Sequence, residues 1–490
     1  MRLSVVTHML GNLLILIGLF KILPLIWCLY YLEKDALTFT ACIIITVTAG
    51  FLFRRIGKFQ KDITLNESFV FVTFGWILAV IFGSMPFYFS GVVTSYVDAF
   101  FEAMSGFTTT GATVIDDVEA LGYGILFWRS LTQWLGGMGI ITLFVAVFPR
   151  LDSGGMFLLN AEIPGPIKER IVPQIARTAK ILWLIYVFLS LLQVFLLRIS
   201  GLSLFDSLTL TFATMATGGF STRNESMASF HNPVAEVITI VFMIMAGVNF
   251  GHYYNLLRGN IKTLLKDHEF CFYLVFLTVV SLIVSFNLFF FTYNSFTESI
   301  RHGFFQVVSI ITTTGFTTAD FDGWHPLLRG MLFFLKFTGG CGGSTAGSIK
   351  QIRILVALKC CYREIYRLLH PKAVLKVKLG DKTVSEGMVI SIMGFILLYV
   401  LIFTMSSLLM TSLGIDLVSS FSAVAATLGN IGPGLVLVGP LQTYSPIPSA
   451  GKILLSFLML IGRLEIYTVL VLFVCMMPGT LLPLFRFNSK

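Results

Sequence analysis

Four short windows decide the fold: DAFFEAMSGFTTTG (98–111), FDSLTLTFATMATG (205–218), HGFFQVVSIITTTG (302–315) and DLVSSFSAVAATLG (416–429). Each is an apolar stretch of about 13 residues, too short for a hydrocarbon core that needs about 20. Each lies between longer apolar runs, found near 9–31, 37–53, 68–91, 125–149, 180–200, 234–257, 271–293, 327–357, 387–412 and 451–477. Aligned on their last glycine, the windows predict one unit repeated four times: span, re-entrant half-helix, Thr/Gly strand, span. The first two of the ten spans stand outside the repeat.

Working outward, composition excludes most other classes. Of 490 residues, 56% are hydrophobic and 12% charged. An ordinary soluble domain is roughly one quarter charged, so neither a soluble globule nor a disordered chain fits. Long unbroken runs, rather than alternating segments of about ten residues, exclude a membrane β-barrel. The first run has no small-residue cleavage site and is expected to be a retained helix. Seven cysteines form no CxxC pair, and seven histidines show no HxxH, HExxH or HxxxH spacing. Disulfide, zinc and haem frameworks, and metal-dependent membrane enzymes, therefore gain no support.

Charge sets the orientation. Of the 34 Lys and Arg residues, 24 fall on one alternating set of loops and ends and seven on the other. Both termini are then expected on the cytoplasmic side, with the re-entrant segments entering from outside. The net charge of +9 is spread over all inside loops. It marks topology, and no nucleic-acid partner is expected. The external loops are acidic, and Asp116 and Asp117 stand nearest a Thr/Gly strand, where they would concentrate cations.

Irregular backbone at membrane depth survives only where protein or a water-filled path satisfies it. Four such strands around one axis would turn carbonyl oxygens inward, and carbonyl rings replace the hydration shell of an alkali cation. Glycine permits the required backbone angles, and the C-terminal dipole ends of the half-helices favour a cation. The candidate ligands are Thr109, Thr110 and Gly111; Ala216, Thr217 and Gly218; Thr313, Thr314 and Gly315; and Thr427, Leu428, Gly429 and Asn430. The fourth set lacks the Thr-Gly step.

Two further features stand out. The run Gly339, Gly340, Cys341, Gly342, Gly343, Ser344, Thr345, Ala346, Gly347 interrupts the eighth span. Each glycine costs a helix interior about 1 kcal/mol relative to alanine. No GK[ST] ending follows, so a phosphate-binding loop is not supported, and a helix-packing patch is the alternative. Arg463 lies inside the last span. Such a charge faces a cavity or a partner. Glu465, two residues on, does not share its helix face, and Lys336 has no partner legible in the sequence.

At these residues the chain resembles the Trk/Ktr/HKT superfamily of potassium transporters, most closely the membrane subunit of the bacterial Trk system. The markers are TTTGATVIDDV (108–118), ATGGFST (216–222), TTTGFTT (312–318), TLGNIGPG (427–434), GGCGGSTAGSIK (339–350) and IGRLEIY (461–467). The resemblance implies an all-α polytopic membrane protein with two N-terminal helices (1–62) and four membrane–pore–membrane repeats (63–178, 179–268, 269–382 and 383–490). These surround one pseudo-fourfold pore. It further implies potassium ions held at Thr110, Gly111, Thr217, Gly218, Thr314, Gly315 and Gly429. A gate is implied at 339–348, including Gly339, Gly340, Gly342, Gly343, Ser344, Thr345, Ala346 and Gly347, with Arg463 facing the pore. By resemblance the protein is a homodimer in the bacterial inner membrane. It binds a cytosolic regulatory ring that senses NAD or ATP, has no organic cofactor of its own, and is not an enzyme. A cation-coupled secondary transporter is the alternative; it would need carboxylates inside the spans, yet Glu465 is the only clear candidate.

Overall fold

The computed structural model describes residues 2–58, 60, 63–139, 175–373, 375–380 and 382–476. Residues 140–149 of the fourth expected span and the basic residues Lys61, Arg150, Lys168, Arg170, Arg486 and Lys490 lie outside the described residues. The described helices are α1 (Leu3–Phe20), α2 (Ile22–Tyr30), α3 (Asp35–Ile56), α4 (Leu65–Phe89), α5 (Tyr96–Phe107), α6 (Tyr123–Gly137), α7 (Ile175–Ile199), α8 (Leu204–Met215), α9 (Pro233–Ala246) and α10 (Phe250–Leu257). They continue as α11 (Ile261–Leu265), α12 (His268–Phe291), α13 (Phe296–Ile311), α14 (Pro326–Leu335), α15 (Gln351–Leu369), α16 (Glu386–Ser412), α17 (Leu417–Leu428), α18 (Ser449–Leu464) and α19 (Ile466–Met476). One two-residue hairpin pairs Lys378–Leu379 with Lys382–Thr383.

The repeat is visible in the packing. The short helices α5, α8, α13 and α17 each follow a long apolar helix (α4, α7, α12, α16) and pack against it. Each also meets the closing helix of the preceding repeat: α8 packs on α6, α13 on α9, and α5 on α18. In the remaining quadrant Lys336, at the end of α14, donates to the Ser422 hydroxyl of α17 at 3.3 Å. Four units thus close around one axis. Serines open three of the short helices and Asp416 the fourth. Asp98, Asp206 and Glu298 sit in their first turns, where a negative charge suits the positive end of the helix dipole.

Among the described residues, six helices are long and apolar enough to cross a membrane, and eight if each bent pair counts once. Among the described residues, three of the expected spans are broken by a sharp bend or a long non-helical run. The segment 234–257 bends by 95° between α9 and α10, and 451–477 by 111° between α18 and α19. The second bend falls at Glu465, whose φ is +59°. Hydropathy sums residues and does not register such a break. In the segment 327–357, the glycine run separates α14 from α15, as its composition requires.

The first two spans carry a buried lysine. Lys21, at the junction of α1 and α2, is 0% exposed. Its ammonium donates to the Thr46 hydroxyl at 2.7 Å and the Phe82 carbonyl at 2.9 Å. Phe82 lies four residues before Pro86, inside α4, and proline has no N–H for that carbonyl. Lys21 therefore supplies the hydrogen bond that the proline removes and ties α4 to the N-terminal pair. Lys21→Met should lower stability by about 1.5–3 kcal/mol, the scale of a hydrogen bond to a charged group. Pro86→Ala on that background should recover part of the loss, read by thermal unfolding in detergent.

Candidate functional site

Each short helix ends in the same cap. The residue in left-handed conformation is Thr109, Thr217, Thr313 or Asn430, with φ of +55°, +54°, +57° and +53°. The next residue donates its N–H five positions back: Thr110 to Ser105 at 2.8 Å, Gly218 to Ala213 at 2.8 Å, Thr314 to Ser309 at 2.8 Å and Ile431 to Ala426 at 2.9 Å. This is the Schellman arrangement, which normally places glycine at the left-handed position. A β-branched threonine there costs roughly 1–3 kcal/mol, and such strain persists only where surroundings enforce it.

Two residues after each left-handed residue comes a glycine of positive φ: Gly111 (+82°), Gly219 (+76°), Gly315 (+85°) and Gly432 (+92°). These glycines close a ring. A Cβ on Gly111 would come closer than 3.0 Å to the carbonyl oxygen of Gly218; on Gly219, to that of Thr314; on Gly315, to that of Ile431; on Gly432, to that of Thr110. The glycine of each strand so faces a carbonyl of the next, in the order one, two, three, four, one. All four glycines line one cavity together with Asp116, Arg129, Arg223 and Tyr444.

This register differs from alignment on the last glycine of each window. Gly111 and Gly315 correspond, but their structural partners are Gly219 and Gly432 rather than Gly218 and Gly429. Gly218 is equivalent to Thr110, and Gly429 is the C-cap of α17. Thr427 and Leu428 belong to that helix. Glycines neighbour one another in Gly218-Gly219 and recur in Gly429-Asn430-Ile431-Gly432. Identity alone cannot choose among them, whereas backbone angles can.

The strands are held from behind. Glu102 and Arg129 are 0% and 2% exposed and pair at 2.8 Å. Glu102 also accepts from the Thr113 hydroxyl and the Val114 N–H, each at 3.0 Å. Arg129 donates to the Ser221 carbonyl at 3.1 Å and covers the Phe220 ring at 4.1 Å. The pair thus joins the chain beyond strand one to the chain beyond strand two. Asn430 donates to the Thr110 hydroxyl at 3.0 Å and to the Met459 carbonyl at 3.0 Å.

At the cap ends of the strands lies the glycine run. Gly347 donates its N–H to the Thr313 hydroxyl at 2.7 Å. The Thr345 hydroxyl lies 3.2 Å from the carbonyls of Met215 and Ala246. The Glu269 carboxylate accepts from the N–H groups of Gly342, at 2.6 Å, and Ile352, at 3.1 Å. Gln351 donates to the Gly339 carbonyl, and Cys341 to that of Gly247, both at 2.8 Å. Arg463 donates to the Thr345 carbonyl at 2.6 Å, to that of Gly136 at 2.6 Å and to that of Gly137. It therefore bridges the run to the end of α6. Gly343, Ser344, Ala346 and Gly347 line a second cavity with Lys350 and Arg463. Gly340 packs between Gly247 and Ala346: a Cβ on it would stand 2.8 Å from the Gly247 carbonyl and 2.9 Å from the Ala346 Cβ. Glu465 pairs with Arg353, 112 positions earlier.

Outside the strands, Asp116 accepts from the Thr443 and Ser445 hydroxyls, the latter at 2.7 Å. Asp117 accepts from Asn224 at 3.0 Å, and that bond holds its carboxyl below the usual carboxylate range. Sequence reasoning leaves Gln133 and Glu269 unremarked and counts Glu102 and Arg129 only among the charged residues of the external loops. Their signal is a polar residue in an apolar helix. Among the described residues, no group of three or more His, Cys, Asp or Glu side chains could hold a metal. The oxygens that stand against the four ring glycines are backbone carbonyls.

A closed ring of four re-entrant helix–strand units within apolar spans is the architecture of a polytopic membrane protein. A family model described as TrkH, cation transport protein, matches residues 33–482, and the chain belongs to that family. It is 39% identical over 478 residues to the Trk system potassium uptake protein TrkH of Escherichia coli K12, covering 96% of this chain and 99% of that one. It is 34% identical over 473 residues to TrkG of the same strain, covering 96% and 97%. The crystal structure of the potassium transporter TrkH from Vibrio parahaemolyticus superposes with a TM-score of 0.87 at 34% identity, covering 96% of this chain and 98% of that one.

Arg129→Met should cost about 3–5 kcal/mol, because it strands the Glu102 carboxylate in a buried site. Adding Glu102→Leu should remove most of that cost, read by unfolding midpoints of the two variants in detergent.

Proposed function

We propose that this protein takes up potassium across the bacterial inner membrane, through a filter lined by the carbonyls of 109–111, 217–219, 313–315 and 430–432. The observation that carries the proposal is the cyclic register of Gly111, Gly219, Gly315 and Gly432 against the carbonyls of Gly218, Thr314, Ile431 and Thr110. Such a ring offers oxygens in place of water to a desolvated alkali cation. The four half-helices end at the strands, so their negative dipole ends converge there. The names of the relatives support potassium as the cation. The protein works as a homodimer with both termini in the cytoplasm. The alternative of coupled transport needs free carboxylates. Glu102, Glu236 and Glu465 are paired with Arg129, Arg301 and Arg353, which leaves Glu269, held by the N–H groups of Gly342 and Ile352, as the carboxylate on which coupling would rest.

The glycine run and Arg463 form the gate. Moving the run away from α6 breaks hydrogen bonds from a charged guanidinium, about 1.5–3 kcal/mol each. A cytosolic nucleotide-binding ring, docking on the basic segment 350–382, supplies that difference by binding the open state more tightly. Failure of the cognate regulator to bind, or binding without a change in flux, would contradict this part.

The test is flux into proteoliposomes under potassium, rubidium and sodium gradients. Serine at any of Gly111, Gly219, Gly315 or Gly432 should reduce discrimination against sodium by about tenfold, equivalent to about 1.4 kcal/mol. Unchanged discrimination in all four variants overturns the filter. Arg463→Ala should raise rubidium uptake in the absence of any regulator while leaving selectivity intact. A rate equal to the parent's places the barrier elsewhere.

A further inference from the structure

The four strands are not braced alike. In strand one the cap residue and the residue two places on are Thr108 and Thr110, whose hydroxyls lie 2.8 Å apart. In strand three Thr312 and Thr314 repeat that contact at 2.8 Å. In strand four the pair is Gly429 and Ile431, and a Cβ on Gly429 would stand 3.1 Å from Cδ1 of Ile431. The isoleucine side chain thus lies over its own cap. In strand two the pair is Ala216 and Gly218, which leaves no side chain to make such a contact.

That space is filled from another repeat. Gln133, in α6, is 0% exposed. Its Nε2 donates to the Gly218 carbonyl at 2.7 Å, and its Oε1 accepts from the Phe220 N–H at 3.1 Å. A Cβ on Gly218 would stand 2.5 Å from Cδ of Gln133, 2.7 Å from Oε1 and 2.8 Å from Nε2. The amide therefore occupies the position that Thr110 and Thr314 fill with their own side chains. One helical turn away Arg129 bonds the Ser221 carbonyl, and residues four apart share a helix face. Two polar side chains of α6 thus follow strand two from 218 to 221.

We propose that Gln133 is a positioning residue for selectivity: it replaces the missing brace of strand two and sets the placement of the Gly218 carbonyl. This rests on the filter reading above. Without the amide, the Gly218 carbonyl loses the side-chain donor that orients it, at a residue with the widest choice of backbone angles and with its N–H bond to Ala213 remaining. One quarter of the ring would then lose its fixed geometry while the other three kept theirs. The glycine at 218 and the glutamine at 133 form one unit. The three atoms nearest a Cβ at 218 all belong to that amide.

The experiment compares rubidium and sodium flux of full-length variants in proteoliposomes, with Gly315→Ser as the control for the filter. Gln133→Met keeps the side chain's length and removes both hydrogen bonds. It should reduce selectivity about tenfold, the scale of a lost hydrogen bond, at an unfolding midpoint close to the parent's. Gly218→Thr alone should be damaging, and Gly218→Thr with Gln133→Ala should recover selectivity relative to either single change. If Gly315→Ser loses selectivity and Gln133→Met does not, the filter stands and the role of Gln133 is overturned. If the double variant folds but is no better than the singles, Gln133 serves folding only and the proposal fails. Should Gly218→Thr not fold, Gln133→Met decides alone. If Gly315→Ser is also without effect, the filter reading itself fails.

Discussion

The structure depends on one close approach: a backbone carbonyl of each strand occupies the place where a side chain on its neighbour's glycine would be. Four such approaches, in a closed order, leave no strand free to move independently. They also explain the surrounding sequence. Strands without helix or sheet hydrogen bonds need partners at membrane depth. The short helices provide them through their caps, and the closing helices provide them through Arg129, Gln133 and Asn430's acceptor at Met459.

The same requirement accounts for glycines far from the strands in sequence. A Cβ on Gly136 would collide with the Phe107 carbonyl, and one on Gly462 with that of Leu428. Phe107 and Leu428 both end short helices. In two quadrants, then, the closing helix passes directly against the cap. Charge follows the same logic. Lys21, Lys336 and Arg463 each point at hydroxyl or carbonyl oxygens that the fold itself exposes. Buried cations of this kind act as donors to broken backbone as much as partners for acids.

How much of this is legible in the sequence depends on scale. The half-helices are legible because an apolar run of 13 residues has few other uses between spans. The interruption at 339–347 is legible because glycine disfavours helix. The 95° and 111° bends are not, because Gly247 and Glu465 sit in windows whose average hydropathy passes for a straight helix. The strand register fails for a different reason. In Gly218-Gly219 the composition is unchanged by a one-residue shift, and only the sign of φ separates the two positions. Arg129 shows the limit of counting charges. Loop arithmetic assigns it to an external face, yet it lies buried against Glu102.

That the four strands belong to one polypeptide has a consequence for how such a ring can change. In an assembly of four identical chains, any substitution alters every quadrant at once, and a tolerable change must be tolerable four times over. Here strand two can surrender both its cap hydroxyl and its side chain, and strand four can exchange a threonine for isoleucine, while strands one and three keep the Thr–Thr contact. The ring is thereby open to adjustment in quarter steps. Its quadrants can accumulate different solutions to the same geometric demand, and the pseudo-symmetry seen in the fold need not extend to the side chains that maintain it.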